Sequence, residues 1–466
     1  MPTPSPGRIR LTLAAALAVV ALAAPALAAS PAAAATWTPI SGLVTGNATD
    51  AAADGSRVLV ASVVDGRAVT ITTIAHGDVT HRQVLRTTPR RGLTKYLQVL
   101  ALPFGTALAV WQDGGRIVSS FRPSSSSRWG PMTTVSAFPG VPTGAAAAPA
   151  LSATAGGDVI VAWWGGPANG RLGIQASRMG DGGTWGAPVE ISAGTYPQLP
   201  VGGPPLIAIA AAASPDGGFG VVWRQPRPAA SRGMPLTDIA GVTRSAGGVW
   251  SDPVTLGGGA VTSFDLTAAA PAPGEVVTAW AESRAQRPDG VTSRTCAVAA
   301  TLSPSSAVAR RDLACHDIFS PGRLRVVPTP GGGAQAAWWV LPDVRTGAPD
   351  DTIETYVRAP GLGDWSPPLL TVARVREMEG LATVAGGRSL LLAEVARTPS
   401  TRGVRAVLMG ADGAVQRRLP GPVKPTAPSN LDTRILPLGP ARLAALLLRP
   451  APPGGSRASL LTVGAG

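Results

Sequence analysis

The chain has 466 residues, a formal net charge of +13 and only two cysteines, with charged residues making up 14% of it. The basic excess lies in arginines scattered through turn-rich segments, with Lys95 and Lys424 the only lysines, so no basic run or helix face supports nucleic-acid binding. His76, His81 and His316 lack partners at zinc-ligand spacing, and there is no GxSxG, HExxH or phosphate-loop motif; neither a metal nor a cofactor is expected.

Residues 1–35 carry Arg8 and Arg10, then the apolar run LTLAAALAVVALAAPALAA, then small-residue triplets ending at Ala28 and Ala35. That order is an export signal cleaved after one of those alanines; Pro25 and the triplets favour cleavage over a membrane anchor. No later run is long enough to span a bilayer, since LAALLL at 443–448 has strand length. The mature chain, 36–466, is expected to be a secreted, monomeric single domain without a membrane span.

From residue 37 onward the tryptophans set the organisation. Trp111, Trp163, Trp223, Trp280 and Trp338 each close a short apolar run, with Trp164 and Trp339 doubling two of them. Trp37, Trp129, Trp185, Trp250 and Trp365 each open a second kind of run, such as TWGAPVEIS and VWSDPVTLG. A repeat carrying four short strand patterns, bounded by Gly, Pro, Asn or Asp, is the signature of a β-propeller blade. The expected fold is therefore all-β, an eight-bladed β-propeller with seven blades as the alternative. The units fall near 45–90, 95–137, 145–193, 204–257, 263–317, 323–373, 379–421 and 431–466.

The last unit lacks a fourth strand, and TWTPISGLV at the start of the mature chain has the fourth-strand pattern. The N-terminal segment is thus expected to pair into the last blade and close the ring. Cys296 and Cys315 flank the turn SPSS at 303–306 and face each other nearly in register in a hairpin, so an exported chain is expected to join them by a disulfide. The PDGG at 215–218 and PGGG at 330–333 join strands and are hairpin turns rather than phosphate cradles. Packing between blades is the expected role of the second-strand tryptophans and also of Trp129, Trp185, Trp250 and Trp365, which follow polar turns nearer an edge.

These repeats resemble the sialidase and BNR-repeat propellers of exported bacterial proteins. The turn before the fourth strand there often carries an Asp box, Ser-x-Asp-x-Gly-x-Thr-Trp; here the same place holds Asp181, Gly183, Thr184 and Trp185 in one unit and Ser245 to Trp250 in the next. The first is one residue short and the second has no Asp. The resemblance implies a propeller, in which the box is structural, and assigns no catalytic position. Sialidase chemistry would need an arginine triad, an aspartate acid and a tyrosine with a glutamate beside it. Of Tyr96, Tyr196 and Tyr356 only Tyr356 has a nearby glutamate, Glu354, at ordinary strand alternation.

The connections after the second strands vary most in length and should emerge together on one face around the channel. They and the strand ends beside them carry Arg224, Arg227, Arg232, Arg284, Arg287, Asp289, Asp343 and Arg345, candidates for gripping a carboxylate, sulfate or phosphate. The expected function is a non-catalytic binding or scaffold module for a glycan or anionic cell-wall polymer, or for an extracellular protein. The alternative is a glycoside hydrolase acting on polysaccharide, whose paired carboxylates could come from distant blades.

Overall fold

The computed structural model describes residues 36–464 apart from 41–42, 44–47, 55, 65–66, 77, 88–93, 115, 137–148, 166–172, 181, 193–207, 227–236, 261, 287–292, 304–307, 343–350, 362–363, 385–387, 399–400, 426–431, 438–441 and 450–456. The expected export signal lies outside the described residues. Among the described residues the chain is all-β, with a single 3-10 turn at Pro103–Gly105 and no helix long and apolar enough to cross a membrane.

Seven antiparallel sheets follow one another along the chain, six of four strands and one of seven, in the manner of a β-propeller. The third is built from Ala150–Ala153, Val159–Gly165, Gly173–Met179 and Val189–Glu190, the fourth from Ile209–Ala213, Phe219–Pro226, Thr237–Arg244 and Val254–Ala260. The seven-stranded sheet arises because one 22-residue strand, Val308–Thr329, pairs with Ser293–Leu302 through its first half and with Gly333–Pro342 through its second. The sequence places a unit boundary at 318–322; two register shifts, between Ile318 and Ser320 and between Pro321 and Leu324, let a single run serve both halves instead.

The hairpins have a common turn chemistry. In Thr154–Asp158 the Thr154 amide donates to the Asp158 carbonyl (2.9 Å) and Gly157 to Thr154 (3.1 Å); Ser214–Gly218 repeats this at 2.8 and 3.0 Å. Gly157 and Gly217 hold φ of 94° and 90°, the left-handed position that closes a three-residue loop. The segments at 215–218 and 330–333 are thus strand-joining turns, as expected.

Side chains on the two faces of each sheet fill the gaps to its neighbours. Trp111, Trp223, Trp280 and Trp338 are at most 1% exposed, and Trp163 is 3% exposed. Trp111, Trp163, Trp223 and Trp280 pack toward the preceding sheet, Trp223 with Ile160 and Ile174 and Trp280 with Val222 and Leu256, and Trp338 packs toward the first half of its own seven-stranded sheet. The doubled Trp164 turns to the following sheet, because successive strand residues face opposite ways. Two of these tryptophans have their polar edge met locally: Trp223 Nε1 donates to Gln225 (2.8 Å) and Trp280 Nε1 to Glu282 (3.0 Å), two residues along the same face. Close fit is evident at Gly257, where a Cβ would lie 2.6 Å from the Trp280 ring. Trp280→Ala is expected to destabilise the protein by about 3–5 kcal/mol in chemical denaturation, the scale of an unfilled aromatic cavity.

Cys296 and Cys315 are cross-strand partners joined by a disulfide. At the other end of the chain, Thr36–Ile40 pairs with Arg457–Gly464, which continues through Arg442–Arg449 to Asp432–Pro437. Asp432–Pro437 also contacts Ala48–Asp54, the first strand of the first sheet. Deleting residues 36–45 should expose the Arg457–Gly464 edge and lower the melting temperature well beyond an ordinary terminal truncation. A truncated protein that melts with the intact one would contradict this.

Candidate functional site

Two of the eight candidates from the sequence lie among the described residues, and they are placed differently. Arg224, in Phe219–Pro226, is buried; burial lowers its pKa and the charge of Asp265 in the next sheet opposes that. Arg284 lies on the surface of its own sheet, where it donates to Glu282 (3.0 Å) and forks onto Asp312 (2.6 Å), an engagement that raises its pKa and lowers that of Asp312. Glu282 also accepts from Arg310 (2.9 Å) and Trp280, so Arg284 belongs to a filled ionic cluster spanning strands of one sheet. Arg227, Arg232, Arg287, Asp289, Asp343 and Arg345 lie outside the described residues.

Glu354 and Tyr356 share one face of Thr352–Arg358, and the Tyr356 hydroxyl donates to Glu354. The fold adds a partner 38 residues away: His316 Nε2 lies 3.1 Å from the same carboxylate, its ring tilted against Trp338 at 5.3 Å. Burial pushes Glu354 up, but the hydrogen bonds from His316 and Tyr356, with the charge of protonated His316, outweigh it and hold Glu354 below its usual range. Burial and then Glu354 push the Tyr356 phenol far above its own. With no exposed surface, Tyr356 is a structural donor beyond the reach of a polymer. The contribution of a depressed carboxylate is complete above its ordinary value of 4.5 and is lost as pH falls through the lowered folded value. Glu354→Gln should cost about 1–3 kcal/mol at neutral pH, the scale of a charged hydrogen bond. In urea titrations stepped below 4.5 the deficit relative to wild type should shrink.

A cleft of about 450 Å³ opens between the third and fourth sheets, at the ends of Gly173–Met179 and Thr237–Arg244. Its walls include Arg178, Arg244, Trp185, Trp250, Ile160 and Val189. Arg178 is the penultimate residue of Gly173–Met179, and Arg244 closes Thr237–Arg244. Trp185 and Trp250 return across the following turns to bridge Met179 and Arg244. Gly248, at φ 95°, closes the second turn, and a Cβ there would lie 2.9 Å from an Arg244 Nη, so glycine leaves room for the guanidinium.

Arg178 pairs with Asp158 at 2.7 Å. Arg244 is half-buried; burial and then the charge of Arg178 lower its pKa, and Asp158 opposes them. An arginine stays protonated under such shifts, so two cations and one anion meet here beside aromatic surface. Trp129 and Trp365 are buried at 6% and 7% exposure, whereas Trp185 and Trp250 keep more of their surface and line the cleft. Loop length points to the long second-to-third connections and away from Arg178 and Arg244, whose signal in the sequence is an arginine shortly before each glycine turn and tryptophan.

No family model matches the chain, and no curated protein is similar to it. Solved structures similar to it include the polysaccharide lyase Uly1, at 12% identity over 92% of this chain and 94% of that one, with a TM-score of 0.47. A PL25 ulvan lyase bound to -[GlcA(1-4)Rha3S]- has 11% identity over 83% and 97%, with a TM-score of 0.46. The WD40 domain of SCAP from fission yeast has 9% identity over 92% and 95%, with a TM-score of 0.49.

Proposed function

We propose that this chain is an exported, monomeric, eight-bladed β-propeller serving as a non-catalytic binding or scaffold module for an anionic glycan or cell-surface polymer. Counting Val308–Thr329 as two strands turns the seven-stranded sheet into two four-stranded blades, and the Thr36–Ile40 strand supplies the fourth strand of the last, which supports eight units and a closed ring. The leader-like residues 1–35 and the Cys296–Cys315 disulfide support an oxidising, extracellular setting.

The observation that carries the binding reading is the cleft, where Arg178 and Arg244 stand beside Trp185 and Trp250. Guanidinium groups suit carboxylate and sulfate, and an aromatic wall suits the apolar face of a sugar ring. No carboxylate is among the described residues lining it, and nearby Asp158 is held by Arg178, whereas glycoside hydrolysis needs two placed carboxyl groups. The sequence's own candidates, Arg224, Arg227, Arg232, Arg284, Arg287, Asp289, Asp343 and Arg345, are kept in this proposal as the alternative set.

The test is binding of residues 36–466 to an array of glycans and wall polymers, with released sugar followed in the same wells. Saturable, salt-sensitive binding without release is expected, weakened by substituting Arg178 and Arg244 together and less affected by substituting Arg224 and Arg284. The reverse ranking would move the site to the alternative set. Sugar release would make the chain a hydrolase, and silence in both readouts would favour a protein partner.

A further inference from the structure

An ionic joint ties the two halves of the seven-stranded sheet at the strand ends corresponding to the cleft, and the matching junction between the third and fourth sheets departs from it. In the seven-stranded sheet Arg358 lies opposite Ala334, bridges Trp365 and is buried in an ion pair with Glu275, which precedes Val276 in the neighbouring half. Arg244 has the same place in the fourth sheet, opposite Phe219 and bridging Trp250. Asp158, preceding Val159 in the third sheet, stands where Glu275 stands. By this pattern Arg244 and Asp158 should close the joint.

They do not, because Arg178 takes the carboxylate. In the third sheet the position matching Arg244 and Arg358 is Met179, opposite Val159, and Met179 packs toward the second sheet. The arginine has moved back by one residue. On a strand a one-residue shift reverses the face, so Arg178 is carried into the junction between the third and fourth sheets. It holds Asp158 at 2.7 Å, while Arg244 has no hydrogen-bond or ion-pair partner among the described residues. A guanidinium is left half-buried against Trp250, in a cleft whose volume lies within the usual range for small-ligand sites.

Resting on the binding reading above, we infer that Arg244 anchors one anionic substituent, carboxylate or sulfate ester, of a sugar ring that lies against Trp185 and Trp250. Among the described residues here, two arginines and one aspartate leave a single uncompensated positive charge, which matches one such group per bound ring. An exposed arginine attracts polyanions whatever its neighbours do; here the competition between Arg178 and Arg244 for Asp158 sets the affinity.

That competition makes the test specific. Affinities would be titrated at fixed salt for polygalacturonate, dextran sulfate, neutral dextran and polyglutamate, with thermal melts of every variant to verify folding. Wild type should bind one or both acidic polysaccharides and neither of the other two, the stronger of the two identifying carboxylate or sulfate. Arg244→Ala should weaken binding by about tenfold to a hundredfold, the scale of a charged hydrogen bond, with Arg244→Lys in between. Arg178→Ala should weaken it comparably, because the freed Asp158 closes the joint onto Arg244. Adding Asp158→Asn to Arg178→Ala should restore most of the affinity, although the cleft then has one arginine fewer than wild type. Arg116→Ala, at an exposed turn in the second sheet, should change little.

Wild-type binding that survives Arg244→Ala, or is not rescued in the Arg178→Ala/Asp158→Asn double variant, would overturn the anchor while leaving the chain a glycan binder. Failure of wild type to bind any acidic polysaccharide would overturn the binding reading itself. Equal binding of polyglutamate would replace the sugar with an acidic peptide and overturn the inference.

Discussion

A four-stranded antiparallel sheet has two faces, and neither can be buried by the sheet alone. Everything else in this molecule follows from the need to cover both by stacking sheet on sheet. The second strands meet that need with runs such as Val159–Gly165, apolar at every position and buried along their length, because one face meets the sheet before and the other the sheet after. A tryptophan at the end of such a strand reaches across the gap where smaller side chains leave it open. Trp111, Trp223, Trp280 and Trp338 accordingly have almost no exposed surface.

The same constraint explains the polar chemistry between sheets. Any charged group at a junction loses water and must find its partner in the neighbour, as Arg358 does in Glu275. His316, Glu354 and Tyr356 satisfy one another between the two halves of the seven-stranded sheet, holding the carboxylate ionised and the phenol protonated. Arg284, Glu282, Arg310 and Asp312 do the same across strands of a single sheet. Junctions with balanced partners are structural. At the junction between the third and fourth sheets, among the described residues, Arg178 takes Asp158, Arg244 has no such partner, and Trp185 and Trp250 stay partly exposed, which is why the proposed ligand site is placed there.

This separates scaffold from site within one repeated element. Trp129 and Trp365, at the fourth-strand position, are buried, whereas Trp185 and Trp250 at that same position line a cleft. The difference lies in what surrounds each ring: Trp250 faces Arg178, displaced onto the opposite strand face, and a glycine turn that leaves room for Arg244. A shift of one residue in a strand moves an arginine from one junction to the next.

The sequence by itself determined the all-β class, the repeat, the hairpin turns, the structural role of the second-strand tryptophans and the pairing of Cys296 with Cys315. Each of these depends on local periodicity or on residues a hairpin apart, which strand geometry converts directly into position. It also placed the Trp37 segment at the edge of the last sheet, because a missing strand pattern at one end matched a surplus at the other. The tertiary structure alone decided which charges meet: Arg178 with Asp158, His316 with Glu354, and Arg244 with no acid among the described residues. Those pairings join different strands or different sheets, and their outcome turns on which face a side chain occupies and on competition for one carboxylate, quantities that no local pattern in the chain encodes.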